Sequence, residues 1–130
     1  MHLKRPTAAT IDLEALAFNL RSFFYFFWGY TEIMAVVKAD AYGHGAVECS
    51  KRLKAEGVNR LAVAIVEEAV ELREAGIDGD ILILGGIWPD QSELIFQHNL
   101  IPAIFSIESA TALDSLYASK GKSAKIHVKI

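Results

Sequence analysis

Five short apolar runs, separated by helical patterns, limit the folds open to this chain. They lie at residues 33–37, 61–65, 81–84, 101–105 and 126–130. Most are apolar at nearly every position rather than at alternate ones, the mark of strands buried on both faces, as in parallel sheets. A first helix is expected after Asp12, which can cap it, with a stripe of Leu13, Leu16, Ala17, Leu20 and Phe24. Further helices are expected at 46–56 before Gly57, at 67–75 before Gly76, from Pro89 to about Gln97, and from the cap Ser106 through Ala112 and Leu116 to near Gly121. Helix followed by βαβαβαβαβ predicts an α/β fold with a parallel sheet and right-handed crossovers. A flavodoxin-like doubly wound domain satisfies that order. So do about five strands of a (β/α)₈ TIM barrel, a fold that usually takes ~250 residues. The chain of 130 residues stops inside an apolar run at Ile130. That detail favours a partial barrel, read here as a single domain over residues 1–130.

Composition removes several classes of function. Apolar residues make up 52% and charged residues 22%, which excludes a disordered chain. Thirteen Lys and Arg stand against sixteen Asp and Glu, so there is no basic stripe for a nucleic-acid backbone. Cys49 is the single cysteine, which excludes an internal disulfide and a cysteine-based zinc site and fits a cytoplasmic setting. Neither an export signal nor a run near the ~20 apolar residues of a membrane span is found. Residues 23–30 hold seven of the thirteen aromatics, where a polar connection is expected. They read either as a helix end packed under the sheet or as an exposed apolar patch serving a partner.

Lys38 closes the first apolar run. Ligands of parallel βα folds sit at the carboxyl ends of strands. Desolvation there favours the neutral amine, a nucleophile able to form a Schiff base. The alternative is a lysine that snorkels out of the sheet end. Gly43 and Gly45 allow a tight turn around His44, which is expected to orient that turn rather than act as an acid or base. Tyr42 can donate to an anion. Gly85 and Gly86 end the third run, where a turn or a close ligand explains them equally. His127 and Lys129 share one strand face, either a barrel interior or a solvent edge. Glu67, Glu68, Glu71, Arg73 and Glu74 read as a solvated helix face. His2 and His98 suggest no metal site.

The segment at residues 34–45, MAVVKADAYGHG, resembles the pyridoxal phosphate attachment motif of bacterial alanine racemases. The likeness continues through Arg60 to Ala64, Glu67 to Ala69, Leu72 to Ile77 and Ile81 to Gly85, loosens from Ile87 to Lys122, and returns at His127 to Lys129. Thr10 to Leu13, with Ala15, Leu16, Asn19 and Leu20, matches the family's opening. The resemblance implies a TIM-barrel N-terminal domain followed by a β-rich domain, and a head-to-tail homodimer. It implies pyridoxal 5'-phosphate held covalently by Lys38, with Tyr42 at its phosphate and Val36 and Leu84 lining its pocket. Lys129 matches a lysine that is carbamylated in many members. The implied reaction interconverts L-alanine and D-alanine for peptidoglycan precursors. Lys38 serves one face of the substrate, and a tyrosine of the partner subunit's second domain serves the other. That tyrosine, the later phosphate ligands and the arginine facing the pyridine nitrogen lie outside these residues. The chain is therefore expected to be an N-terminal part without turnover of its own. Two other readings stay open: a pyridoxal-phosphate-binding homeostasis module, and a non-catalytic interaction domain using residues 23–30.

Overall fold

A computed structural model describes residues 7–27 and 31–130. The first helix, α1 (Leu13–Phe27), starts where Asp12 Oδ1 accepts the backbone N–H of Glu14 and Ala15 at 2.9 and 3.0 Å. The expected stripe is the one that packs. Ala17 and Leu20 are buried, and Leu13, Leu16 and Phe24 lie against the core. The aromatic run continues this helix instead of connecting it to a strand. At 3.6 residues per turn only some consecutive side chains can face inward. Phe24 does, whereas Phe23, Tyr25, Phe26 and Phe27 are exposed. Among the described residues this run is therefore a helix end that is exposed rather than packed under the sheet. Trp28, Gly29 and Tyr30 lie outside the described residues.

The remaining elements follow the expected alternation. They are β1 (Met34–Val36), a single turn α2 (Lys38–Gly43), α3 (Ala46–Ala55), β2 (Arg60–Val63), α4 (Val66–Glu74) and β3 (Asp80–Ile83). A 3₁₀ turn at Pro89–Gln91 leads into α5 (Ser92–Gln97), then β4 (Ile101–Ile104), α6 (Ile107–Ser119) and β5 (His127–Val128). Pro89 thus opens a 3₁₀ turn rather than the α-helix itself. Ser106 caps α6 by accepting the N–H of Ser109 at 3.2 Å.

The strands lie in the order β1-β2-β3-β4-β5, and every pairing is parallel. A doubly wound sheet would reverse its strand order at a switch point. Here each strand is added beside the previous one, as in the wall of a (β/α)₈ barrel. The flavodoxin-like alternative is thereby excluded.

The two faces of this wall differ. Leu61, Val63, Ile81, Ile83 and Ile104 are buried together with Ala69, Leu72, Ile95 and Leu113 of the helices. Register pairs Met34 with Arg60, Arg60 with Asp80, Leu82 with Ile101 and Ala103 with His127. Partners in a parallel ladder share a face, so these residues form the other, concave face. Its lower end is a hollow of about 350 Å³ lined by Met34, Arg60, Asp80, Ile101 and His127. His127 therefore belongs to the barrel-interior face. Arg60 pairs there with Glu32 and, at 3.7 Å, with Asp80.

Arg73 corrects the solvated-face expectation. Its guanidinium donates to the carbonyls of Ile77, Gly79, His98 and Asn99 at 2.8 to 3.0 Å, stapling two strand-entry loops together. Burial lowers its pKa, opposed by the charges of Asp78 and Asp80. Arg73→Ala is expected to destabilise the fold by roughly 2–4 kcal/mol in urea unfolding, because charge-assisted bonds are lost and half-buried carbonyls are left unpaired. Lysine should restore little of this, since it lacks the planar fork.

Candidate functional site

Strand β1 ends abruptly. Val37 is 2% exposed and donates its N–H to Ala62 O at 2.8 Å, but its ψ of 23° turns the chain out of the sheet. Lys38 follows, half-buried at the carboxyl end of the strand. Its amine makes no ion pair or hydrogen bond among the described residues. The next four residues are left-handed. Ala39, Asp40, Ala41 and Tyr42 have φ of 50°, 54°, 52° and 56°. For residues with a Cβ this conformation costs roughly 1–2 kcal/mol each, so such a run persists only when its surroundings enforce it.

The enforcing contacts come from three directions. Below the turn, Ala41 N–H donates to Val37 O at 2.9 Å, and Ala41 itself is buried. Ahead of it, Asp40 Oδ1 accepts the N–H of Ala46 at 2.7 Å, while Asp40 O accepts that of Gly45 at 2.9 Å, so Asp40 ties the turn to the start of α3. From the neighbouring βα unit, Glu68 Oε1 accepts the N–H of Ala39 at 2.7 Å. The other oxygen of Glu68 accepts from Ala64 at 2.7 Å and Ile65 at 3.2 Å, holding the start of α4. Gly43 and Gly45 continue the turn with φ of +81° and +91°. His44 Nδ1 donates to Ala41 O at 2.8 Å, the orienting role expected of it.

Asp40 and Glu68 were not singled out from sequence, and Glu68 was placed on a solvated face. Glu67, Glu71 and Glu74 are indeed exposed. Glu68 stands at N3 of its helix, the position from which a carboxylate reaches back to the cap. The usual cue was hidden, because the N-cap residue is Ile65, which has no acceptor to complete a capping box.

The expected site residues are spread along the carboxyl rim of the sheet. Val36 and Tyr42 line one cleft of about 490 Å³ beside the start of α1, with Asn19, His44 and Cys49 also in its wall. Leu84 is half-buried just past β3, where its N–H donates to Val63 O at 2.9 Å. It stands two strands from Lys38, roughly 10 Å along the sheet, and does not line that cleft. Lys129 is exposed at the far edge, its N–H bonded to Ile104 O at 2.9 Å. Lys38 does not line that cleft either; it shares the end of β1 with Val36 and Tyr42, whereas Leu84 and Lys129 stand at other strands. Gly85 has a packing cause, since a Cβ there would meet Ala64 O at 2.5 Å.

Cys49 is buried, and its Sγ lies 3.5 Å from His44 O. Burial raises the thiol's pKa, and Asp40 and Glu48 push it the same way. Alkylation of the folded chain near pH 8 should therefore be at least about tenfold slower than for the unfolded chain, whose thiol has pKa ~8.5. The left-handed turn gives an opposite pair of outcomes. Ala39→Gly should stabilise by about 0.5 kcal/mol, as relief of left-handed strain exceeds glycine's entropy cost. Ala15→Gly, on the exposed side of α1, should destabilise by about 0.5–1 kcal/mol. Denaturant melts of the two variants check the contrast.

Residues 11–130 match the family described as alanine racemase, N-terminal domain. Among curated relatives, an alanine racemase of Halothermothrix orenii is 46% identical over 128 residues, covering 98% of this chain and 34% of the relative. Among solved structures, an alanine racemase from E. faecalis superposes with a TM-score of 0.91 at 34% identity, over 99% of this chain and 35% of that one. A histidine racemase from Leuconostoc mesenteroides subsp. sake superposes with a TM-score of 0.79 at 30% identity, over 89% of this chain and 31% of that one. The chain thus spans about one third of the length of the proteins it matches. A βα wall with a lysine at its first strand end, matched over nearly its whole length to the family's N-terminal domain, places this chain in the pyridoxal-phosphate-dependent alanine racemase family.

Proposed function

We propose that this chain supplies the cofactor-holding lysine and the first part of the barrel of an enzyme that interconverts L-alanine and D-alanine. Residues 1–130 are read as a single N-terminal barrel-type domain. One observation carries the proposal: Lys38, free of any carboxylate partner among the described residues, is followed by a strained turn clamped by Asp40 and Glu68. Strain held in this way marks positions where geometry serves a function.

The residues present fit pyridoxal phosphate. The Lys38 amine has no counter-ion among the described residues and is available to the aldehyde carbon. Tyr42 is 61% exposed, so its hydroxyl is accessible to phosphate oxygens. Gly43 and Gly45 leave open space where a side chain would stand. Val36 and Leu84 offer apolar surface at the rim.

When bound, the cofactor supplies an electron sink for the substrate's Cα. Lys38 holds the cofactor and, once its amine is released, moves a proton at Cα on one face. Racemisation also requires a proton on the opposite face. The family resemblance assigns that group to a partner subunit, and on that ground the working form is read as a homodimer. Lys129, exposed at the end of β5, remains the proposed site of carbamylation. Alanine as substrate rests on the family. The comparable superposition on a histidine racemase supports assigning side-chain selectivity to parts outside these residues. A cytoplasmic role in peptidoglycan precursor supply follows from the same reading. None of the described helices is long and apolar enough to cross a membrane.

The test is a trap. Pyridoxal phosphate is added to the purified chain, reduced with borohydride, and the modified lysines are mapped by peptide mass spectrometry. Selective modification of Lys38, lost in Lys38→Ala, is expected, with no racemisation by the chain alone. Modification spread over surface lysines would overturn the proposal. Turnover by the chain alone, abolished by Lys38→Ala, would overturn the assignment of the second base.

A further inference from the structure

We propose that Glu68 is a positioning residue for Lys38, setting the direction of its side chain through the peptide that follows it. The inference rests on the reading of Lys38 as the cofactor lysine. The bond that matters runs from Ala39 N–H to Glu68 Oε1 at 2.7 Å, across 29 residues of sequence. The peptide joining Lys38 to Ala39 is planar, so fixing the orientation of that N–H fixes the plane and with it ψ of Lys38. The Cα–Cβ direction of Lys38 is then set from outside its own strand.

A plain helix cap would not need this arrangement. Glu68 Oε2 alone serves Ala64 at 2.7 Å and Ile65 at 3.2 Å, which is the whole of its capping duty. Oε1 is left for the neighbouring unit and goes to the one amide adjacent to the lysine. Both carboxyl oxygens of Glu68 are thus used as acceptors. A glutamine presents one acceptor and one NH₂, so one side would meet donor against donor. An aspartate keeps the charge near the start of α4 but is one methylene shorter, so it cannot reach both Ala64 and Ala39. Glu67, next in sequence and exposed, makes no side-chain hydrogen bond to the turn and serves as the control.

The experiment compares the unaltered chain with Glu68→Gln, Glu68→Asp and Glu67→Gln. The first readout is amide hydrogen exchange at Ala39. The second is the rate of pyridoxal phosphate trapping at Lys38 relative to the other lysines at one fixed pH. Helix content and melting temperature are recorded for each variant. The expected result is protection of Ala39 in the unaltered chain and in Glu67→Gln. In folded Glu68→Gln, exchange at Ala39 should be about tenfold faster, in line with loss of a hydrogen bond to a charged group. Trapping at Lys38 relative to the other lysines should fall severalfold in that variant and stay unchanged in Glu67→Gln. If Glu68→Gln does not fold, Glu68→Asp takes its place with the same expectation.

An Ala39 amide unprotected in the unaltered chain would overturn the inference. So would trapping at Lys38, relative to the other lysines, that is unchanged in whichever Glu68 variant folds. A chain that protects Ala39 but is never trapped at Lys38 would instead defeat the cofactor-lysine reading and leave the clamp standing.

Discussion

The carboxylate of Glu68 receives three backbone N–H groups, two from its own helix start and one from the peptide after Lys38. Much of the site depends on that sharing. Without it the left-handed run from Ala39 to Tyr42 would lose its tie to the neighbouring βα unit and rest on Asp40 and on the bonds and packing of Ala41. With it, the loop after β1 and the loop after β2 become one rigid rim. The same carboxylate therefore explains why α4 starts where it does without a capping hydroxyl, and why Lys38 does not hang from a mobile loop.

The sheet gives that rim its place. Parallel strands in sequential order put every βα connection at one end, so the groups that follow β1, β2 and β3 are neighbours although 20 to 27 residues separate each from the next in sequence. The helix-facing side, built from Leu61, Val63, Ile81 and Ile83, holds the strands in register. At the opposite end Arg73 and Arg60 tie the strand-entry loops. One end is fixed by guanidinium bonds to carbonyls, and the other by a carboxylate bonded to N–H groups.

The fold was largely legible in the sequence. Continuous apolar runs marked the strands within a residue or two, Asp12 and Ser106 marked helix starts, and Lys38 marked the carboxyl end of β1. The expectation of burial on both strand faces held for Ala62, Leu82 and Ala103 but not for Val36, which is 41% exposed on the concave side. The left-handed turn was not legible. Its residues, Ala39, Asp40, Ala41 and Tyr42, carry no local preference for positive φ as a group, and contacts distant in sequence impose it. Glu68 and Arg73 were misread for a related reason. A charged residue on an amphipathic helix looks solvated until the loops that bond to it are brought alongside. The aromatic run is a helix end as far as Phe27, but it is not packed away, because helical periodicity cannot bury consecutive positions.

The clamp by Asp40 and Glu68 holds this turn left-handed. Solution NMR of the chain measures it directly, through intraresidue HN–Hα distances and one-bond Cα–Hα couplings at Ala39, Asp40, Ala41 and Tyr42. Positive φ at all four residues in a single conformation is expected. Negative φ at these residues, or averaging among conformers, would contradict it, since neither the clamp nor a fixed Lys38 would then exist in the free chain.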